Sequence, residues 1–467
     1  MLPKTRSLSL AGAAALVMAC ALLLASLLAG GQTAQADVPA AQVARLGKDL
    51  TPMGSEKAGT KDGTIPAWTG GLRTPPAGIG YQKGKHLPDP FAKDKPLFRI
   101  TGANMAKHER HLTEGQKGLL KLYDTYFMDV YPSRRSCAQR QESYDAMRRN
   151  AAVGKLVAGG NGISEAIMSS PFPIPNNGLE LVWNHTLRYR GHKAQRQFTA
   201  IPVNQRGDFY LISVHDDVIF RWSNPAARRA EELDNVSFLY LLQTKAPTRL
   251  AGYMVLVQES LNMATRPRQA WTYSPGTRRV RRAPSIAYDN PGTNSDGITT
   301  ADSFSGFNGA PDRFDWRVRG LEEKYVHYNG YARGLVPYKE LLGKRHSNQS
   351  LFRYEKHRVW AVEGLKRRDS RHLYSRRVLY LDEDGGNVVA TSIYDGRGEL
   401  WRVQELGGGV QYELPLCGPA GETVYDLLIG RYLMLGLTNE EKPVDFEAAH
   451  LQEKRYTPNN MRRLSTR

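Results

Sequence analysis

The chain is short of the residues that most active-site chemistry requires. It has three cysteines. Cys20 falls inside an apolar run near the amino terminus, so only Cys137 and Cys417 serve the remainder. Two thiols cannot build a four-thiolate zinc site. HExxH, GxSxG, a phosphate loop ending in Gly-Lys-Ser/Thr and a GxGxxG after a strand are all missing. Zinc-protease, nucleophile-elbow, P-loop and dinucleotide chemistries therefore lose their usual signals. After the first apolar run no other is long enough to span a bilayer. Nothing in the sequence marks a catalytic centre or a cofactor site, and the reading is of a non-enzyme.

What is present begins with Lys4 and Arg6 ahead of an apolar stretch from Leu8 to Gly30. Ala34-Gln35-Ala36 and Asp37 follow. A positive start, an apolar middle and a small-x-small exit make a secretory signal, with cleavage between Ala36 and Asp37. The competing reading is an uncleaved inner-membrane anchor, because the run approaches the roughly 20 residues that cross a membrane. Cys20 is a poor lipid-attachment cysteine, since further apolar residues follow it. Export implies the periplasm, where Cys137 and Cys417 can pair or stay reduced. Loss of residues 1–36 removes Lys4, Arg6 and no acid, taking the formal charge from +18 to +16. A positive surface meets anionic headgroups or an acidic partner, or is only a solvated face. Export makes nucleic acid a poor partner.

Residues 37–111 are rich in Gly, Pro, Lys and Thr, with Trp68, Phe91 and Phe98 at intervals. Such a segment has no core of its own and is expected to wrap the main body. Thr113 and Gln116 form a capping-box pattern ahead of a helix. Further helices are expected at about 142–157, 179–187, 226–243 and 423–437. From residue 196 the period becomes two. Strands are expected in QFTAIPV, FYLISV, AGYMVLVQES, RQAWTYS, HRVWAVEGL, HLYSRRVLYLD, NVVATSIY and ELWRVQEL. The turns SPGT, DEDGG and DGRG join several of them, as in an antiparallel meander. The long segment 283–313 is expected to cover one opening of the sheet. These features give an α+β fold: one large curved antiparallel sheet, an incomplete β-barrel, with helices packed on or in its concave face. The predicted organisation is a signal at 1–36, a wrapping segment at 37–111, a body at 112–442 and a polar, loosely held tail at 443–467.

Titratable clusters are few. His108 and His111 lack a third ligand nearby. His215 and Asp216 are strand neighbours and point to opposite faces. Asp382, Glu383 and Asp384 read as an acidic hairpin tip with too few oxygens for calcium. Asp395 and Glu399 flank a tight turn, and with the His215 region they are the residues of an unfavoured envelope-polymer hydrolase reading. Arg278, Arg279, Arg281 and Arg282 are more informative. At the start of a strand, Arg279 and Arg281 would share one face and Arg278 and Arg282 the other, so at least one pair is exposed near the rim, for an anionic headgroup or a partner. Trp271, Tyr273, Trp360, Tyr380, Phe238 and Leu241 are the candidates for lining an apolar cavity, against the alternative that they are core.

Several stretches resemble the bacterial domain-of-unknown-function family 1329. They include LGKDLTPMGSEKAG from Leu46, DGTIPAWTGG from Asp62, PFPIP from Pro171 and RYRG from Arg188. RPRQAWTYSPGTRRVRRAP from Arg266, FNGAPDRFDW from Phe307 and YDGRGELWR from Tyr394 complete the set. The region of Cys137 and the tail after Val444 depart from the pattern. The resemblance implies similarity to outer-membrane lipoprotein-sorting proteins, a Lol-like half-barrel closed by helices around an apolar cavity. It also implies a transporter of the resistance–nodulation–division type and an outer-membrane partner. The expected function is a periplasmic carrier or accessory protein binding a hydrophobic, lipid-like ligand, with transient contact to the membrane surface. The alternative is a non-catalytic envelope protein that docks a transporter without carrying ligand.

Overall fold

The computed structural model describes residues 38–464, apart from 285, 419 and 420. The expected signal and its expected cleavage point at Ala36 and Asp37 lie outside the described residues. Among the described residues no helix is long and apolar enough to cross a membrane.

In chain order the strands are β1 Phe98–Thr101, β2 Phe127–Tyr131, β3 Lys155–Val157, β4 Gly162–Ser164, β5 Lys193–Val203, β6 Ile212–Ile219, β7 Val236–Thr244, β8 Met254–Ser260, β9 Gln269–Ser274 and β10 Arg279–Arg282. They continue as β11 Phe314–His327, β12 Tyr354–Lys366, β13 Arg376–Asp382, β14 Val388–Tyr394, β15 Leu400–Leu406, β16 Val410–Gln411, β17 Leu416–Cys417, β18 Glu422–Asp426 and β19 Arg431–Leu437. The helices are α1 Ala40–Val43, α2 Glu114–Leu122, α3 Gln141–Val153, α4 Gly178–Thr186, α5 Tyr338–Leu341 and α6 Pro458–Leu464.

Fifteen strands form one sheet. β5 to β10 run as one meander, β11 to β15 with β18 and β19 as another, and antiparallel pairing of β19 with β5 joins them. β1 and β2 attach beside the start of β12 through the one parallel pairing of the sheet. The sheet is not closed: β10 and β11, consecutive in sequence, stand at its two ends. The chain between them, 283–313, must therefore cross the sheet.

It crosses on one face. Ile286, Ile298 and Phe304 of this segment pack with Phe198, Val214, Phe238, Val255, Val424 and Leu433 of six strands. Phe307 packs with Leu181 and Val182 of α4 against Val362, Leu379, Leu381 and Leu406. The opposite face carries α2 and α5, whose Leu119, Leu120, Tyr338 and Leu341 bury against Ile201, Val403, Tyr425 and Met434. Farther along, the carboxy-terminal segment seats Leu451, Tyr456 and Met461 on Leu241, Leu256 and Tyr273. Each large apolar side chain buried this way contributes about 1.5–3 kcal/mol.

The capping box at α2 forms as its spacing requires: the Gln116 amide nitrogen donates to Thr113 Oγ1 at 3.1 Å and the Thr113 amide to Gln116 Oε1 at 3.0 Å. Two expected helices are strands. The 226–243 stretch is a short turn, Ala230–Leu233, then β7; the 423–437 stretch is the β18–β19 hairpin. In both, alternate residues are buried on opposite faces of the sheet, so the apolar run is continuous and its period is hidden. Left-handed φ values of 49° at Asp234 and 57° at Asn235 break the chain ahead of β7. The helix expected over 142–157 ends at Val153, and the next residues form β3. β11 was not expected at all. It pairs on one side only, and its middle is exposed and charged, so alternation fails there.

The tail is not loosely held. Asp445 and Gln195 exchange backbone hydrogen bonds, Arg455 pairs with Asp217 at 2.8 Å, and Met461 is fully buried. Its polar composition hid four well-spaced anchors: Ala448, Leu451, Tyr456 and Met461.

Candidate functional site

The face under 283–313 is apolar at its flanks and polar in its middle. Strand register sets a row across five strands: Arg377 lies beside Ile393, Ile393 beside Arg402, Arg402 beside Asp426 and Asp426 beside Arg431. The crossing segment is bonded to the three arginines of that row. Arg377 donates to Asp302 Oδ2 at 2.9 Å, Arg402 to the Gly297 carbonyl at 2.9 Å, and Arg431 lies 3.7 Å from Asp296. In the next rows Gln404 donates to the Ser303 carbonyl at 2.8 Å, and Glu422 accepts from the Ser305 amide at 3.4 Å.

Arg377 is fully buried, with Phe314, Phe307 and Tyr374 rings 4.6–5.2 Å from its guanidinium. Such cation–π contacts hold a guanidinium where water cannot. Burial alone would raise the Asp302 carboxyl, but Arg377 and His372 outweigh it and hold it well below the usual range. Glu422 is the reverse case: burial pushes its carboxyl up to about 7 despite the Ser305 and Gly306 amides. A solid core needs no such lining, because buried polar groups cost free energy unless each finds a partner.

At one flank is a cavity of about 10 Å³ among Arg188, Arg190, Phe220, Trp222, Ser237 and Phe238. Of the six residues expected to line a ligand cavity, Phe238 alone borders it. Trp360 shares the covered face but packs on the Phe307 cluster. Trp271, Tyr273 and Leu241 lie on the opposite face under the carboxy-terminal segment, and Tyr380 packs there with Val326, Tyr328 and Val359. The six are therefore not brought together. Both faces of the sheet are covered, so aromatic residues on successive strands serve different clusters.

All four arginines of 278–282 are exposed at the end of the sheet. Arg278 sits in the preceding turn at φ 51°, so it does not share a strand face with Arg282. Arg282 donates to Gln269 Oε1 at 2.7 Å.

The acidic run 382–384 is buried rather than a solvated tip. Arg135 contacts Asp384 at 2.7 Å and Glu383 at 3.1 Å, and Arg358 reaches Glu383 at 2.7 Å. The same arginines donate to the backbone carbonyls of Glu56, Lys57 and Ala58. His357 stacks on Tyr328 at 3.9 Å and lies 3.1 Å from Glu355. Burial raises both Asp382 and Glu383, with Asp384 adding repulsion. Beside this cluster Cys137 and Cys417 are joined, with Cα atoms 5.4 Å apart.

The remaining titratable candidates have local explanations. Asp395 Oδ1 accepts from the Arg397 and Glu399 amides, closing the turn. His215 pairs with Asp217, whereas Asp216 faces Arg196 and Tyr240. His108 stacks on Phe98, and His111 bonds the Glu323 carbonyl. Among the described residues no group of three His, Cys, Asp or Glu could hold a metal ion.

Comparison with solved structures finds partial similarity. A putative outer-membrane lipoprotein-sorting protein domain of Vibrio parahaemolyticus covers 61% of this chain and 98% of its own, at 16% identity and a TM-score of 0.43. A DUF1329 family protein of Desulfovibrio piger covers 58% and 92%, at 11% identity and a TM-score of 0.40. In sequence, the chain is 44% identical over 436 residues to the uncharacterized protein PA3922 of Pseudomonas aeruginosa, covering 92% of this chain and 95% of that protein. The DUF1329 family, proteins of unknown function, matches residues 99–462. With most of its length matched in both comparisons, the chain belongs to the DUF1329 family.

Proposed function

We propose that the protein is a periplasmic carrier or accessory protein for a hydrophobic, lipid-like ligand, working with an envelope transporter. The observation that carries this reading is the covered face. Its apolar flanks come from strands of both meanders, and its cover is an irregular segment held largely by side-chain and backbone hydrogen bonds. Hydrogen bonds exchange with water at small net cost. An acyl chain laid on the exposed strands would gain about 0.8 kcal/mol per methylene. Lifting 283–313 would thus replace one apolar cover by another. The exposed arginines at β10 would meet an anionic membrane surface or a partner while the exchange takes place.

Native mass spectrometry with lipid extraction, on mature protein purified from periplasm without detergent, tests the reading. A stoichiometric hydrophobic adduct is expected. Repeated clean apo mass, including after incubation with lipid vesicles, would overturn it.

A second reading has its own observation. In this structure the segment fills the face, and the cavity beside Phe238 has room for about one water. A solid sheet with a basic edge would suit an envelope protein that docks a transporter without carrying ligand. Crosslinking of the β10 arginines to a membrane protein, with no lipid recovered, would favour it.

A further inference from the structure

Two arginines on the covered face have no carboxylate within ion-pair distance. Arg188 is 5% exposed, and Arg190 is partly buried. Among the described residues neither forms an ion pair, although every other arginine on this face pairs with a carboxylate: Arg196 with Asp216, Arg377 with Asp302, Arg402 with Asp426 and Arg268 with Glu259. Arg188 meets only neutral partners: the His185 carbonyl, the His185 ring nitrogens at 3.4 and 3.5 Å, and Ser305 Oγ at 3.0 Å. Arg190 donates to the Thr186 carbonyl at 3.3 Å and lies over the Phe220 ring at 4.3 Å. Both Nε atoms are buried without an acceptor. The two guanidiniums border one cavity, with Phe220, Trp222 and Phe238 as its apolar walls.

Buried charges are ordinarily paired, because removing an ion from water costs several kcal/mol. Here two like charges border one cavity: burial above all weakens Arg190's hold on its proton, and the neighbouring charge of Arg188 weakens it further. The acids that attract them stand beyond ion-pair distance: Glu422 for Arg188, its own carboxyl raised to about 7, and Glu259 for Arg190, already paired with Arg268. The arrangement lacks one anion.

We infer that Arg188 and Arg190 form the subsite for the anionic head, a carboxylate or phosphate, of an amphiphile whose chain lies on the covered face. This inference rests on the carrier reading and specifies its ligand class. The present cavity of about 10 Å³ does not admit such a head. Ser305, which occupies Arg188, belongs to the crossing segment, so lifting that segment frees the guanidinium as it opens the face. Ser305 Oγ is the neutral stand-in for the head oxygen, and Phe238 and Phe220 border the path of the chain.

The test uses the whole mature protein, a fluorescent long-chain fatty acid, its methyl ester and inorganic phosphate at neutral pH. The acid should bind at least about tenfold more tightly than the ester, as a charge-assisted hydrogen bond to a buried guanidinium provides. Arg190→Gln should bring that ratio near one, and Arg190→Lys should restore part of it. Excess phosphate should displace the acid and leave the ester bound. Equal binding of acid and ester to the wild type overturns the inference and leaves the carrier reading standing; that comparison needs no variant, so misfolding of Arg190→Gln cannot obscure it. Retained discrimination in a folded Arg190→Gln protein also overturns it. Binding of phosphate with neither acid nor ester bound shows a free-anion site and sinks both readings.

Discussion

Two irregular segments cover this sheet, and they are held in different ways. The amino-terminal cover, residues 46–72, is gripped through its own backbone: Arg135 and Arg358 reach the carbonyls of residues 56–58 while paired to Glu383 and Asp384. The Trp68 indole donates to the Cys137 carbonyl, beside the disulfide. The crossing cover, 283–313, is held at several separate points: Arg268, paired with Glu259, on the Ile286 and Asn308 carbonyls, Arg402 on Gly297, Arg377 and His372 on Asp302, and Gln404 on Ser303, with no disulfide among its described residues. A grip centred on one buried charge cluster is lost all together. A row of separate contacts can be released one after another. The first cover suits permanence, and the second suits movement.

That contrast can be broken or sharpened by experiment. Arg135→Met should have the largest effect, because it strands Asp384 as a buried acid and leaves Glu383 to Arg358 alone. Removing one partner of a buried pair costs about 3–5 kcal/mol, readable as a lowered urea midpoint with early cleavage in residues 46–72. Next comes the Cys137→Ser, Cys417→Ser pair. Opening a crosslink between residues so far apart in sequence costs about 2–5 kcal/mol; an unchanged melting temperature would deny the disulfide its place in the grip. Arg377→Met should cost about 1–3 kcal/mol, since Asp302 keeps His372 and Thr300. Its signature is faster amide exchange confined to 283–313, and exchange spread over residues 46–72 as well would erase the distinction between the covers.

The smallest effect is a pH dependence. Glu422 is raised above its ordinary value by burial, so the folded state holds its proton more tightly than the unfolded state. Its stabilising effect is greatest below the ordinary carboxylate range, falls as pH rises towards about 7 and is flat above. Asp382 and Glu383 are raised too and slope in the same direction. Glu422→Gln should therefore remove part of the slope of the urea midpoint between about pH 4.5 and 7 and leave the remainder. An identical slope in the variant would show that Glu422 is not protonated in the folded protein.

The legible parts of the fold carry local signals, and exposure is not needed for them: β13 and β14 are buried on both faces, yet the DEDGG and DGRG turns mark their ends. β9, β12, β13, β14 and β15 showed period two or compact turns, and α2 announced itself by Thr113 and Gln116. β7, β18 and β19 are buried on both faces, which erases the contrast on which periodicity depends. β11 fails for the opposite reason, with its middle exposed on both faces. At the site, segment 283–313 could be read as a cover from its length and composition. Its partners could not: Arg188, Arg377, Arg402 and Glu422 are isolated residues in four different segments, with no shared motif. The RYRG stretch is the one local signal among them, since it places Arg188 and Arg190 just after an apolar helix.

By itself the sequence determined the α+β class, the meander and the family, because these are written in local spacing and in long continuous stretches. Tertiary structure alone decided which face each strand presents, that β10 and β11 stand at opposite ends, and therefore that 283–313 must cross the sheet. It also decided which charges are paired. Pairing depends on register between strands far apart in the chain, and a one-residue slip would send every side chain to the other face.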